Sequence, residues 1–491
     1  MAWLGDYENI KGLMYAWQGG LEMGNAVADV LSGDVTPSGK LVDTIAKTYG
    51  DYPASATFAN NDGRTDVEKY EEDIYVGYRY FETFAKDRVL YPFGYGLSYT
   101  TFDTEAVVEA EDETITVTAT VTNTGDTYSG KEVVEVYYAA PQGKLGKPAR
   151  ALAGYAKTNE IAPGASQTVK ISVPTDNMAS YDDGGKTGHD SAWVLEAGDY
   201  DIYVGNSVRT AEKTGTWKLD ELKVVEQLEE ASALHQAFDR TVAAEAEDGS
   251  LTVAKEAAPT VTEEADLAAR VLENLPEAVE QTGDKGIKLI DVYNGTNTMD
   301  EFIAQLTVEE LAALARGDWG KNSSLVPPSK ENASAFGGML ASLREKGVTA
   351  VSAHDGPAGP RAGAAGTGLP IGTMLACTWN DPLVEKLCYY SGCEMVTSSG
   401  DVWLAPGMNI HRDPLGGRNF EYYSEDPVIT GQMGAAATRG MQKAGTGIPE
   451  SKREGRRRRG NGRAGHRGAA GSHGYGEKGR WKERLPHNLY R

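Results

Sequence analysis

"APGMNIHRDPLGGRNFEYYSEDP", residues 405–427, is the stretch on which the fold turns. It gathers His411, Arg412, Asp413, Arg418, Glu421, Glu425 and Asp426 around three aromatic rings, behind a glycine- and proline-marked entry. The preceding "EKLCYYSGCEMVTSSGDVWL" reads as a helix, a glycine stop and a short apolar strand. The same order occurs once before, in "LASLREKGVTAVSAHDGP", where Asp355 follows the strand directly and Gly356 and Pro357 fix the turn. Helix–strand–loop units with charged groups at the strand ends predict a parallel α/β barrel or a doubly wound sheet over residues 287–449.

Two loops therefore hold the reactive groups, "SAHDGPAGPR" (352–361) and residues 405–427. Carboxylates and an arginine set among aromatics suit a neutral polyhydroxylated ligand, whose hydroxyls donate and accept while its faces stack on rings. The same residues also suit a turn at Asp355, an ion pair of Arg418 with Glu421 or Asp426, and a satisfied histidine at 411. Acids and histidines do not fall at metal-ligand spacing, and no cofactor fingerprint occurs, so no cofactor is expected.

Outward from this region the chain changes character. Residues 1–103 are mixed: an apolar run at 10–20 suits a strand, and "LEMGNAVADVLSG" suits a helix ended by Gly33. Residues 104–210 alternate in short β-branched runs, "TITVTATVTNTG", "EVVEVYYAAP", "SQTVKISVP" and "GDYDIYVGN", which predict an antiparallel β-sandwich. Residues 211–286 are rich in Ala and Glu and are read as a helical linker. Within 287–449, "TVEELAALARG" carries a capping box from Thr307 to Glu310 and stops at Gly317.

Composition limits the function classes. The 491 residues are 40% hydrophobic and 24% charged, with a net charge of −23. Residues 450–491 hold 13 Lys and Arg against 4 Asp and Glu, a balance of +9, which leaves −32 for residues 1–449. That acidic body repels phosphate backbones and anionic membranes, so neither nucleic acid nor membrane is an expected partner. The tail itself, Arg- and Gly-rich with little apolar surface, reads as a disordered segment. Three cysteines without a CxxC pair and no basic-then-apolar leader point to a reduced, cytoplasmic protein.

"HDGPAGPR", "PGMNIHRDPLGGRNFEYYSEDP", "AWQGGLEMGNAVADVLSGDVTPSGKL" and "YPFGYGLSYTTF" together resemble glycoside hydrolase family 3, the β-glucosidase-type enzymes. The resemblance implies a permuted domain order. Residues 1–103 match the C-terminal part of the family's α/β sandwich domain, 104–210 its fibronectin type III-like domain, and 287–449 the N-terminal half of a TIM-type (β/α)8 barrel.

The implied activity is hydrolysis of terminal non-reducing β-D-glucosyl residues by a retaining mechanism, with β-glucosides or oligosaccharides as partners. Asp355 matches the family's aspartate that binds glycosyl hydroxyls, and Arg418 an arginine of the same subsite. Glu421 and Asp426 match acids that shape the loop.

A retaining enzyme needs two carboxylates about 5–5.5 Å apart. The family's nucleophile motif and its acid/base glutamate are not found in this chain; Glu8 and Glu22 lie in no matching motif. Truncation at both ends is therefore expected, with the basic tail as out-of-frame text, and so is little or no hydrolysis. The other reading is a non-catalytic carbohydrate-binding or interaction protein.

Overall fold

The computed structural model describes residues 2–63, 66–111, 113–230, 234–261, 266–319, 332–361, 366–398 and 400–445. The basic tail at 450–491 lies outside the described residues.

The β-sandwich forms where the alternation predicts it. In Thr114–Asn123, half-buried threonines alternate with buried Ile115, Val117, Ala119 and Val121. One row of side chains thus enters the core and the other faces outward. This strand pairs antiparallel with Phe102–Ala110 and Ser166–Pro174. The facing sheet runs in the order Glu212–Leu219, Gly198–Gly205, Val133–Ala139, Ala151–Lys157. Val117, Val136, Ile171, Tyr200, Ile202 and Trp217 interlock between the two.

Residues 211–286 are not a helical linker. Glu212–Leu219 belongs to the sandwich sheet, and Lys223–Gln227 pairs antiparallel with Ala192–Leu195. Asp239–Glu245 and Leu251–Ala257 then form a hairpin around Asp248-Gly249. Among the described residues of this stretch, only Leu267–Glu273 is helical, capped by Asp266. Alanine and glutamate favour helix weakly, and tertiary pairing overrides that preference wherever β-branched residues find a partner strand. The Asp-Gly pair between "DRTVAAE" and "LTVAKEA" was the hairpin signal in the sequence. The hairpin docks on residues 71–75: Thr241 N donates to Glu71 O at 2.7 Å, and Arg240 reaches Asp73, Asp183 and Glu256.

Residues 10–20 form no strand. Their backbone bonds a later loop instead, with Ile371 N donating to Gln18 O and Leu21 N to Gly368 O. The helix Met23–Ser32 ends at Gly33 as expected.

In the last segment, the helices Val308–Arg316 and Asp381–Thr397 and the strand Ala350–His354 fall where the pattern puts them. Thr307 and Glu310 make the capping box. Ala350–His354 pairs parallel with Val402–Trp403, across the crossover that contains the Asp381–Thr397 helix. Its other neighbour, Asn332–Gly337, is antiparallel. The described residues of this segment thus contain one parallel strand pair rather than a continuous parallel array.

One core joins all three parts. Trp379, only 1% exposed, meets Phe93 edge-on at 5.5 Å and Tyr155 at 5.1 Å, and its indole N–H donates to Lys40 O. Tyr78 donates to Asp426 at 2.7 Å and accepts from Leu152 N at 2.8 Å. Lys157, on a sandwich strand, donates to Ser38 O and Thr378 O, each at 2.7 Å. Buried polar groups of these three parts satisfy one another, so their relative placement is specified by hydrogen bonds as well as apolar contact.

Candidate functional site

The two loops singled out in the sequence leave the same edge of the parallel pair. Asp355 follows His354, the last residue of one strand; Leu404 follows Trp403, the last of the other. Leu404 N donates to His354 O at 2.8 Å, and Trp403 Nε1 to Gly356 O at 2.9 Å, which locks the first loop onto the second strand. Gly356 has φ +112°, and a Cβ there would fall 2.2 Å from Gly359 O, so only glycine fits this turn.

Asp355 presents a half-exposed carboxylate, 3.6 Å from the Arg361 guanidinium. Beneath it His354 is fully buried, and burial holds its imidazole below the ordinary histidine value. Arg418 is 71% exposed, pairs with Glu421 and lies over the Tyr422 ring. Its guanidinium is held further in the charged form chiefly by Glu421, with Tyr422 and Asp355 contributing. Arg418 thus feels the charge of Asp355, with the Tyr422 ring beside it. Such a set can take hydroxyl groups by charge-assisted hydrogen bonds and a sugar face by stacking.

Asp426 is placed differently. Wholly buried, it caps the helix Pro427–Lys443 by accepting from Val428 N and Ile429 N, and it takes the Tyr78 hydroxyl. Burial raises its carboxyl above the usual aspartate range. Glu421 is buried under Arg418. Glu8 and Glu22 are exposed, with Glu22 accepting from Asn25 at 2.6 Å.

The base of the 405–427 loop is held by residues that the sequence did not bring forward. Asp43 accepts from His411 Nδ1 at 2.7 Å and from Glu425 N at 3.1 Å. Thr44 donates its N–H and hydroxyl to the two oxygens of Glu425. Arg412 pairs with Glu68 and Glu72 and stacks on Tyr70 at 4.0 Å. Tyr49 reaches Asp413 at 3.3 Å. These partners lie some 340 to 380 positions away along the chain, and no local pattern announces such a contact. Burial opposes a proton on His411, but the charge and hydrogen bond of Asp43 outweigh it, so His411 titrates above its ordinary value.

Among the described residues, no group of three or more His, Cys, Asp or Glu is arranged to hold a metal ion. None of their helices is long and apolar enough to cross a membrane. Cys377, Cys388 and Cys393 are free thiols.

The described residues form a multidomain architecture, a β-sandwich packed with two mixed α/β segments, with a carboxylate, an arginine and an aromatic ring on loops that follow two parallel strands. Sequence comparison gives the family. Residues 1–99 match the glycosyl hydrolase family 3 C-terminal domain, 132–208 the fibronectin type III-like domain, and 288–453 the glycosyl hydrolase family 3 N terminal domain. The chain belongs to glycosyl hydrolase family 3, with its domains in permuted order.

It is 49% identical over 435 residues to a beta-glucosidase of Ruminococcus albus, spanning 88% of this chain and 44% of that one. It is 41% identical over 487 residues to beta-glucosidase A of Butyrivibrio fibrisolvens, spanning 90% and 56%. The crystal structure of a beta-glucosidase from Paenibacillus barengoltzii superposes with a TM-score of 0.83 at 51% identity, over 88% of this chain and 47% of that one. The chain therefore spans about half the length of the relatives it matches.

Proposed function

We propose that the chain supplies the glucosyl-recognition half of a β-glucosidase-type active site acting on terminal non-reducing β-D-glucosyl residues. The observation that carries this is the shared edge: Asp355 and Arg418 sit on loops leaving the C-terminal ends of the two parallel strands. Loops at such strand ends are where α/β folds place their ligands.

In this reading residues 287–449 form the N-terminal part of a (β/α)8 barrel, with the Asp381–Thr397 helix as a crossover. Asp355 takes sugar hydroxyls as an acceptor, and Arg418 donates to the same ring. Glu421 orients Arg418, and Asp426 anchors the loop's exit by capping the following helix. None of these residues is assigned to bond cleavage. The retaining two-step displacement belongs to a nucleophile and an acid/base that we do not place in this chain.

The half-exposed Asp355 and exposed Arg418 favour a second reading, sugar binding without turnover by this polypeptide. Titration calorimetry with glucose, alongside turnover of an aryl β-glucoside, tests both. Glucose binding lost in Asp355→Ala and in Arg418→Ala supports the recognition site; no binding by the unsubstituted chain removes it. Turnover that disappears in Asp355→Ala would overturn the expectation of little or no hydrolysis.

A further inference from the structure

We propose that Asp43 is a positioning residue for the glucosyl subsite, closing the base of the loop that carries Arg418. This rests on the reading that the loop binds sugar.

One carboxylate oxygen of Asp43 accepts two hydrogen bonds from opposite ends of that loop. His411 Nδ1 donates from the incoming leg at 2.7 Å, and the Glu425 amide donates from the outgoing leg at 3.1 Å. The legs touch directly as well, through His411 N to Ser424 O at 3.0 Å. Flanking residues repeat the stitch: Ser424 Oγ donates to Val42 O at 2.7 Å, and Thr44 N and Oγ1 donate to Glu425. The segment 42–44 thus runs between the two legs as a seam.

Beyond this seam the incoming leg is tied by Arg412 to Glu68 and Glu72 and by Asp413 to Tyr49, and the turn that follows carries Arg418. Arg418 itself pairs with its neighbour Glu421 and lies over the Tyr422 ring. The turn beside it is tied by Asn419 Nδ2 to Asp413 O and by Thr373 Oγ1 to Asn419 O. If the base opens, the outgoing leg loses its fixed spacing from the incoming one, and the guanidinium moves relative to Asp355, which stands on a different loop. His411 is 8% exposed, and its Nε2 meets no partner within hydrogen-bond geometry among the described residues. The ring is tied at Nδ1 to Asp43, and the Asn419 backbone also favours its protonated form. A hydrogen bond to a charged acceptor is stronger than a neutral one, and two on a single oxygen fix the spacing of their donors.

The test uses the full chain with Asp43→Ala and Asp43→Asn, because Asn keeps an acceptor oxygen in place while Ala removes it. Amide hydrogen exchange should speed up across 411–426 in Asp43→Ala and stay unchanged in the sandwich strand Thr114–Asn123. The 15N resonances of His411 should report loss of its Nδ1–H form. Glucose affinity should fall about tenfold or more, the effect of one lost charge-assisted hydrogen bond. Asp43→Asn should recover it to within about threefold.

Unchanged exchange over 411–426 in Asp43→Ala overturns the proposal, as does faster exchange with undiminished glucose affinity. Should the unsubstituted chain fail to bind glucose, the recognition reading falls on its own. Exchange and the His411 signature then still decide whether Asp43 holds the loop. If Asp43→Ala does not fold, His411→Phe preserves ring volume, removes the Nδ1 donor, and should give the same localised exchange; protection equal to the unsubstituted chain overturns the proposal.

Discussion

The carboxylate of Glu425 lies directly against the backbone of Gly77. A Cβ at Gly77 would fall 2.1 Å from Glu425 Cδ, and Gly77 has φ +56°. Glu425 uses that approach to accept from Tyr78 N at 2.8 Å while it holds Thr44. Gly77→Ala should therefore cost at least about 2 kcal/mol, through backbone strain and a displaced buried carboxyl. Urea unfolding of the two proteins measures it; equal midpoints would mean that the contact is dispensable.

Buried titratable groups at the junction give a pH dependence with two opposed limbs. Burial pushes the Glu135 carboxyl up to about 8, and one of its oxygens has no hydrogen-bond partner among the described residues. Its unfolded value is near 4.5, so the stability it contributes is complete below that and is lost as pH rises to about 8. Glu425 shifts the same way through burial and the nearby Asp43 charge.

Lys157 is depressed by burial to about 7 from 10.5. Its contribution is present above 10.5 and is lost as pH falls toward 7. These groups together place a stability minimum between about 7 and 8. Each limb should slope by roughly 1.4 kcal/mol per pH unit per group. Glu135→Gln should flatten the acid limb and Lys157→Met the alkaline one, read from denaturant midpoints across pH.

Asp426 serves two elements at once. Asp426→Ala removes the helix cap and leaves the Tyr78 hydroxyl without its acceptor, a loss of about 2–4 kcal/mol. Asp426→Asn keeps a capping oxygen and should lose far less. Comparable losses in the two variants would show that charge, not capping, matters there.

Trp379 belongs to the last segment, yet its ring contacts Phe93 of the first and Tyr155 of the sandwich. Trp379→Ala should cost about 3–5 kcal/mol, the range for a buried aromatic truncated in a packed core. Because the core is shared, unfolding should stay a single transition in the parent and separate into steps in the variant. Calorimetry distinguishes the two outcomes.

The sandwich strands were legible because alternation over "TITVTATVTN" has one compatible geometry, with one face buried. Helix limits at Thr307–Gly317 and at Gly33 were legible because caps and stops are local chemistry. The hairpin at 239–257 is masked in the sequence because the Ala and Glu content of the segment outweighs the single Asp248-Gly249 signal. Residues 10–20 differ from expectation for a related reason: an apolar run signals burial without specifying the partner.

At the site, the sequence singled out Asp355, Arg418, Glu421 and Asp426 by loop position and motif. It gave no sign of Asp43, Thr44 or Glu72, whose roles depend on what folds against them. By itself the sequence determined the strand and helix periods, the turn residues and the two polar loops, all of which depend on neighbours a few positions apart. The tertiary structure decided which carboxyls are buried and shifted, which backbone seam holds the 405–427 loop, and that three segments share one core. Those properties arise from groups hundreds of residues apart competing for the same water-free space, and only the folded chain brings them together.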